Sequence, residues 1–536
     1  MKSKGLLFLF TFSGIAATNA AQESYVQKGD KLMSAFCFDL AAQQYKTAAD
    51  RDTNDVNAWE KLGNTYLILD DYNNAEAVYR ILSTHPLAKP IDRFYFGQVL
   101  RANGKYEEAQ KAYSAFREAA PYDSRAEEFK NFYQEVKPLL EEKNSYTLTS
   151  FAQNSSASEM SPAFCADKIM LSSNRTEGTP IRYTNADGGD AYYDLFEMNQ
   201  DDTMATNVPV KLKGKVNGML NESAATFSAD GKEMIFTRTN YITKGTDHIS
   251  RLGLYHADYN KKRGWINVRA LSCNSYIYNV AHPSLSADGN KLYFISDMPG
   301  GFGETDIYVC QKTGNNWGNA VNLGAKINTP GREMFPFIEG NSKLYFSTDS
   351  RVGLGGLDIY VAVLNDSLWS APLNVGAPIN TTADDFGYCT DRTKTRGLFV
   401  STRAGGQGSD DIYGFTRLVP ATFNLSTVYF DSISFGLTAH AEKILDSVVL
   451  LMKTYPDLVL EIGGHTDMRG NSAFNLVLSQ KRAATCQAYV NQHGIDINRL
   501  PAVGYGEEKV TKICVDCTDA EHIINRRVEF AVVRKD

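Results

Sequence analysis

A 34-residue period near the N-terminus constrains this chain more than any other feature. Gly29, Gly63 and Gly97 are 34 residues apart, as are Phe38, Tyr72 and Tyr106. Ala41, Ala75 and Ala109 repeat with them, and so do Tyr45, Tyr79 and Tyr113. A fixed period of this length marks stacked units, each unable to bury its apolar face alone. The small residues let paired helices approach, and the aromatic columns fill the gaps between repeats. Pro86 and Pro121 stop the second helix of their units, because proline has no N–H to continue the ladder. Asp123 to Glu142 is expected to form a capping helix over the last apolar face.

The same stretch contains Trp59-x-x-Leu62-Gly63-x-x-Tyr66, with Ala75, Tyr79 and Pro86 following. This pattern resembles the tetratricopeptide repeat (TPR). The resemblance implies an all-α solenoid over residues 21–143 whose concave face receives a partner peptide or protein. A spacer or platform for the next domain fits three repeats equally well.

A second, β-rich repeat is expected over residues 144–418. One copy reads Ser286-Ala-Asp-Gly-Asn-Lys-Leu-Tyr-Phe-Ile-Ser296, then Gly300-Gly301 and Asp306-Ile307-Tyr308. Others pass through Lys343–Thr348 to Asp358-Ile359-Tyr360, and through Leu398–Ser401 to Asp411-Ile412-Tyr413. Looser copies contain Ile235-Phe236 and Ile169–Ser172. Phe236, Phe294, Phe346 and Phe399 are spaced by 58, 52 and 53 residues, which suits one four-stranded unit per repeat. Segments such as Trp317–Gly324 and Trp369–Gly376 are expected to supply the outer strand. The pattern resembles the PD40 type of WD40-like propeller, as in the periplasmic Tol-associated propeller. That implies an all-β ring of five blades, or six if flanking segments such as Tyr146–Phe151 close it. Asp306, Asp358 and Asp411 read as turn-capping residues rather than metal ligands.

After Pro420 the pattern turns mixed α/β. Strands are expected at Val428–Phe430, Val459–Ile462, from Pro501, and at Arg527–Val533, with helices at Thr438–Lys453 and Ser472–Gln492 on one sheet. Asp467 follows a strand, in a loop that exposes it, and Arg482 lies fifteen residues later in a helix. One carboxylate and one guanidinium can clamp a zwitterion, or form an ion pair that braces the fold. The run Gly464-His465-Thr466-Asp467-x-x-Gly470 is followed by Asn475-x-x-Leu478-Ser479-x-x-Arg482-Ala483, Gly504-Tyr505-Gly506-Glu507 and Asn525-Arg526-Arg527-Val528-Glu529. This set resembles the OmpA-like peptidoglycan-binding domain, here over residues 419–536. The resemblance implies a peptidoglycan site made by Asp467 and Arg482, helped by Arg526, with Thr466 and Asn475 beside it, the asparagine in a structural role. The ligand implied is the diaminopimelate of a stem peptide, its ammonium on the aspartate and its carboxylate on the arginine. Ile433 departs from the family, which often carries a polar residue there, so one ligand contact is expected to be missing.

The eight cysteines are too sparse for a disulfide scaffold in 536 residues. Cys514 and Cys517 form a C-x-x-C pair, read as a local disulfide; zinc is the rival, with His522 the only further ligand nearby. Lys2 and Lys4, the apolar run Leu6–Phe12 and Thr18-Asn19-Ala20 read as an export signal over residues 1–20. A net charge of −7 argues against nucleic-acid binding through a broad basic surface. The chain contains no G-x-S-x-G, H-E-x-x-H or Gly-x4-Gly-Lys motif, so no cofactor, metal or enzymatic activity is expected. The expected fold class is multidomain: an all-α TPR solenoid, an all-β propeller and an α/β OmpA-like domain. The expected protein is a periplasmic scaffold that ties an outer-membrane complex to peptidoglycan. The three-part order resembles proteins of Bacteroidota type IX secretion and gliding machinery, which implies a PorP/SprF-like barrel as partner. The alternative is an envelope sensor or carrier whose propeller binds a small ligand or glycan.

Overall fold

The computed structural model describes residues 25–533, apart from 36, 142–145, 177–190, 201–207, 241–249, 315, 366–367, 418–424, 455–457 and 512–517. The export signal, Cys514 and Cys517 lie outside the described residues.

Helices α1 (25–34), α2 (Phe38–Arg51), α3 (Val56–Ile68), α4 (Tyr72–Thr84), α5 (Pro90–Ala102) and α6 (Tyr106–Ala119) form antiparallel pairs. The 34-residue period has one physical cause in each pair. The ring of Tyr45 lies flat on Gly29, that of Tyr79 on Gly63 and that of Tyr113 on Gly97. A Cβ on those glycines would meet the rings at 2.5, 3.0 and 2.5 Å. Each hydroxyl then donates to the residue after the glycine: Tyr45 to Asp30 (2.6 Å), Tyr79 to Asn64 (2.7 Å) and Tyr113 to Gln98 (2.9 Å). These aromatics therefore work within a helix pair, not only between pairs. The capping segment, expected as one helix, is broken into α7 (Ser124–Glu128) and α8 (Phe132–Leu140). The break lets Phe129 and Phe132 both reach Tyr113, with ring centroids 4.5 and 5.0 Å away.

Residues 146–417 form five consecutive antiparallel sheets. Their first strands are Glu159–Cys165, Glu222–Phe227, Val280–Leu285, Glu333–Glu339 and Asp385–Thr390. Each first strand neighbours the next, and the fifth returns to the first. All five carry a bulge. The bulge residues Ser161, Ala224, His282, Phe335 and Gly387 all have positive φ, between 32° and 64°. An asparagine binds the backbone N–H and C=O of the third strand in every sheet: Asn217 on Leu195, Asn274 on Leu254, Asn328 on Ile307, Asn380 on Ile359 and Asn154 on Ile412. Asp306 accepts N–H groups of its glycine-rich loop at Phe302 and Gly303, Asp358 that of Gly355, and Asp411 those of Gln407 and Gly408. The flanking strand Tyr146–Ser150 pairs with Asp411–Arg417 and so completes the fifth sheet rather than starting a sixth. The outer strand expected from Trp317 and from Trp369 is split in each case, into Asn316–Trp317 with Val321–Asn322 and Leu368–Trp369 with Leu373–Asn374. In the first, the Gly318 N–H still donates to Gln311 O in register with Trp317 opposite Lys312, and the pairing has shifted by one residue where Val321 lies opposite Val309.

The helical region is docked onto this β region. Arg101, 1% exposed, donates to the carbonyls of Arg351 (2.8 Å), Asp349 (3.0 Å) and Gly356 (3.0 Å). The Tyr106 hydroxyl donates to Leu354 O, and Val352 and Leu354 join the aromatic cluster of Phe94, Phe116 and Phe129.

The C-terminal region has one four-stranded sheet in the order Val428–Tyr429, Arg527–Val532, Leu460–Gly464, Ala502–Gly504, the last two parallel. Helices α9 (Ala439–Thr454) and α10 (Ser472–Gln492) bury Leu445, Val448, Cys486 and Val490 against Leu460, Ile462 and Val528. Leu450 packs against the cluster holding Tyr146 and Phe415, so α9 touches the fifth sheet. No helix among the described residues is long and apolar enough to cross a membrane.

Replacing Arg101 by methionine leaves three buried carbonyls without their donor, a loss of about 3 kcal/mol or more. The variant is expected to melt earlier and to be cleaved first between α8 and Tyr146 in limited proteolysis. A melting temperature and cleavage order equal to wild type would refute the docking role.

Candidate functional site

Two glycines let a helix lie against the ends of two strands. A Cβ on Gly464 would sit 2.1 Å from Ser479 O, and one on Gly504 would sit 2.4 Å from Gln480 N. The close crossing of α10 places Arg482 beneath the chain that leaves Gly464. That chain is held by its backbone: His465 N–H donates to Arg527 O and Thr466 N–H to Gly506 O, both at 2.8 Å. Gly470, with φ +99°, turns the chain into α10, and Asn471 caps the helix by accepting from Ala473 N (2.8 Å) and Phe474 N (3.4 Å).

Asp467, expected in a loop that exposes it, is instead 6% exposed, because Arg469 and Arg526 close over its carboxylate. Its Oδ2 accepts from Arg526 Nη1 (3.1 Å) and from Arg469 Nη2 (3.0 Å) and Nε (3.3 Å), and its Oδ1 from Arg469 N (3.2 Å). Burial alone would raise this carboxyl, but the hydrogen bonds of Arg469 and Arg526 outweigh it and hold it below the usual aspartate range. Arg469 also reaches Asp519 Oδ1 at 2.8 Å.

Arg482 is fully buried, and three of its donors are committed to backbone carbonyls: Ser434 (2.9 Å), His465 (3.0 Å) and Asp431 (2.9 Å). Burial, together with the charge of Arg526, pushes it down to about 10. Among the described residues, Asp467 is bonded by Arg469 and Arg526 and not by Arg482. Arg482 thus braces the Asp431–Ser434 turn, while two of its five N–H groups remain uncommitted to these carbonyls. Ile433 sits in that turn at φ +61° and 70% exposed, a left-handed conformation that is strained for a β-branched residue.

Asn475 is buried, and its amide donates to Arg469 O (3.1 Å), Asp467 O (3.4 Å) and Glu507. It holds the loop in shape. Thr466 is buried, and its Oγ1 has no hydrogen-bond partner. His465 stacks on Tyr505, and burial pushes it down to about 4. Sequence reasoning missed Arg469 as a partner of Asp467, although its place two residues after the aspartate was a usable signal. It also missed the position of His522, whose Nδ1 lies 3.9 Å from Asp467 Oδ2. Among the described residues, no cluster of three or more His, Cys, Asp or Glu could hold a metal.

Comparison with known proteins places this region in a family. The OmpA family model matches residues 429–522. The chain is 30% identical over 128 residues to the peptidoglycan-associated lipoprotein of Haemophilus influenzae, a match covering 24% of this chain and 82% of that relative. The chain belongs to the OmpA family. It is also 35% identical over 89 residues to the peptidoglycan-associated lipoprotein of Rhizobium meliloti, covering 17% of this chain and 51% of the relative. With outer membrane porin F of Pseudomonas aeruginosa the identity is 42% over 82 residues, covering 15% of this chain and 23% of the relative. The chain therefore spans only about half of the Rhizobium protein and less than a quarter of the porin. Among solved structures, the peptidoglycan-associated lipoprotein of Burkholderia pseudomallei matches at 30% identity over 20% of this chain and 89% of that chain, with a TM-score of 0.19.

Arg482→Met removes the donor to three carbonyls at once and is expected to destabilise the chain by about 3–5 kcal/mol, read by urea unfolding. An effect below about 1 kcal/mol would show that the carbonyls find other partners.

Proposed function

We propose that this protein is a non-catalytic scaffold of the bacterial envelope, exported to the periplasm and held to peptidoglycan by its C-terminal region. The observation that carries this reading is the Asp467 carboxylate, set at the end of a strand between the guanidinium groups of Arg469 and Arg526 with Arg482 beneath. Opposite charges fixed a few ångströms apart suit a ligand that carries an ammonium and a carboxylate on one carbon, as diaminopimelate does. In this reading Asp467 receives the ammonium. Arg526 and the two remaining N–H groups of Arg482 serve the carboxylate, and Thr466 and Asn475 shape the loop. The names of the relatives, peptidoglycan-associated lipoproteins and an outer membrane porin, support the same compartment.

The remaining parts are assigned by their repeats: an export signal at 1–20, a TPR solenoid at 21–143, a propeller of five blades at 144–418 and the OmpA-like domain at 419–536. The glycine–tyrosine stacks support the first repeat, and the five bulged sheets with their five asparagines support the second. These two domains hold partner proteins at the outer membrane. The partner class is an outer-membrane barrel of the PorP/SprF kind, within a type IX secretion or gliding apparatus. The C-x-x-C pair Cys514 and Cys517, which precedes α11 (Asp519–Ile523) in the chain, is assigned as a local disulfide from its spacing alone. Because the role is attachment, no step needs a nucleophile or a metal.

The test is co-sedimentation of the full chain with purified sacculi. Wild type is expected to pellet, and Asp467→Asn, which keeps size and removes charge, to bind about tenfold or more weakly. Equal pelleting of the two proteins would make the C-terminal region a protein-binding module instead.

One feature favours a second reading, that of a sensor or carrier. All five first strands border a cavity of about 160 Å³ lined by His282, Phe335, Tyr388, Pro162, Pro283 and Pro336 among others, with no Asp, Glu, Lys or Arg in the lining. Burial pushes His282 down to about 3, so it is neutral there. Such a lining suits a small uncharged ligand. Saturation-transfer NMR with neutral mono- and disaccharides is expected to show a contact that His282→Ala abolishes. No contact from any of these sugars would end this reading for glycans.

A further inference from the structure

His522 occupies a place at the Asp467 site that no motif accounts for. It lies in α11 and is 7% exposed. Its Nδ1 is 3.9 Å from Asp467 Oδ2 and has no hydrogen-bond partner. That separation is too long for a hydrogen bond and too short for a water in line between the two atoms. A donor placed about 2.8 Å from both would see them at an angle of about 90°, within reach of two N–H groups on one nitrogen. A buried ring nitrogen left unpaired is costly, so an orphan beside a charged group points to something that binds there.

The second observation is what now lies on Asp467. Arg469, whose side chain is 46% exposed, places Nε and Nη2 on the same Oδ2, at 3.3 and 3.0 Å. Its Nη1 is on Asp519 Oδ1 at 2.8 Å, and Asp519 opens the helix that carries His522. The arginine thus holds two carboxylates at the mouth of the site and can give up one while keeping the other. Arg526, 6% exposed and also bonded to Phe430 O at 3.3 Å, has no such freedom.

We propose that Asp467 Oδ2 and His522 Nδ1 together form the seat of the ligand's primary ammonium, and that Arg469 is the placeholder for that cation in the free protein. On binding, the ammonium donates one N–H to the carboxylate and one to the imidazole, and Arg469 retires to Asp519. One cation replaces another at Asp467, so the charge balance of the site is kept. The specificity that follows is for an amine with at least two free N–H groups, and an acylated amine is rejected. This inference rests on the peptidoglycan reading of the same site.

The experiment measures binding of the full-length protein to native sacculi and to sacculi whose free amines have been acetylated. Wild type, Asp467→Asn, His522→Phe, His522→Asn and Arg469→Gln are compared, with thermal melts to confirm folding. On native sacculi, His522→Phe is expected to bind about tenfold more weakly than wild type, and His522→Asn, which restores an acceptor near Nδ1, to recover most of the loss. Arg469→Gln is expected to bind about threefold more tightly, because no internal cation has to leave. On acetylated sacculi, wild type and His522→Phe are expected to bind equally weakly. His522→Phe binding as wild type does, or losing as much on acetylated as on native sacculi, overturns the seat. Arg469→Gln binding more weakly than wild type overturns the placeholder and makes Arg469 a ligand contact. If wild type fails to bind native sacculi, or Asp467→Asn binds as well as wild type, the peptidoglycan reading itself falls. If Asp467→Asn alone loses binding, that reading stands and only the role of His522 is refuted.

Discussion

The pairing of Tyr146–Ser150 with Asp411–Arg417 is the contact on which the rest of the molecule depends. Tyr146 lies opposite Arg417 and Ser150 opposite Tyr413, so the first strand of the β region completes the last sheet. Asn154 adds two further bonds to Ile412, at 3.0 and 2.9 Å. Closing a loop of this length costs only about 5 kcal/mol in chain entropy, since the cost grows with the logarithm of length. The ladder, the buried aromatic cluster beneath it and Arg417 offset that cost. The Arg417 guanidinium reaches Glu339 (2.9 Å), Tyr345 (2.8 Å) and Tyr388 (2.6 Å) and so ties the seam to the neighbouring sheet.

Closure also determines where the other two regions attach. The chain enters the β region and leaves it on adjacent strands of one sheet. The helical region is docked through Arg101 on the loop 349–356, and α9 reaches the cluster around Tyr146 and Phe415 through Leu450. Both attachments use buried contacts rather than surface ion pairs, so salt will weaken them little.

The C-terminal site shows how one residue type can serve two ends. Arg482 and Arg526 are both buried beside Asp467, yet Arg482 is spent mainly on carbonyls and Arg526 on the carboxylate. Their division of labour follows from where α10 and the strand Arg527–Val532 bring them, not from their chemistry. The same holds for Ile433, whose strained backbone is pinned by the two Arg482 bonds on either side of it.

Much of this was legible in the residues. Periodic glycine, alanine and tyrosine announce helix pairs because only a small residue admits a flat ring, and Asp-Ile-Tyr after a glycine-rich loop announces a strand. The Asp467 motif was legible because Gly464 and Gly504 tolerate no Cβ where α10 crosses them. The broken capping segment and the split outer strands were not, because packing of Phe129 and Phe132 on Tyr113 and a one-residue shift of register along Asp306–Thr313 overrode local preference. Nor was the place of His522, which lies 55 residues beyond Asp467 with no period linking the two; Arg526, 59 residues on, was reached only through the resemblance of its Asn-Arg-Arg segment. The sequence by itself determined the repeats, the elements and the acid and bases available to the site, because those depend on local spacing and on what each side chain can do. Only the tertiary structure decided that five sheets close through a strand from the N-terminal side, that Arg482 braces a turn, and that Arg469 and His522 join Arg526 on Asp467. Those outcomes depend on distances across the fold, which local pattern does not encode.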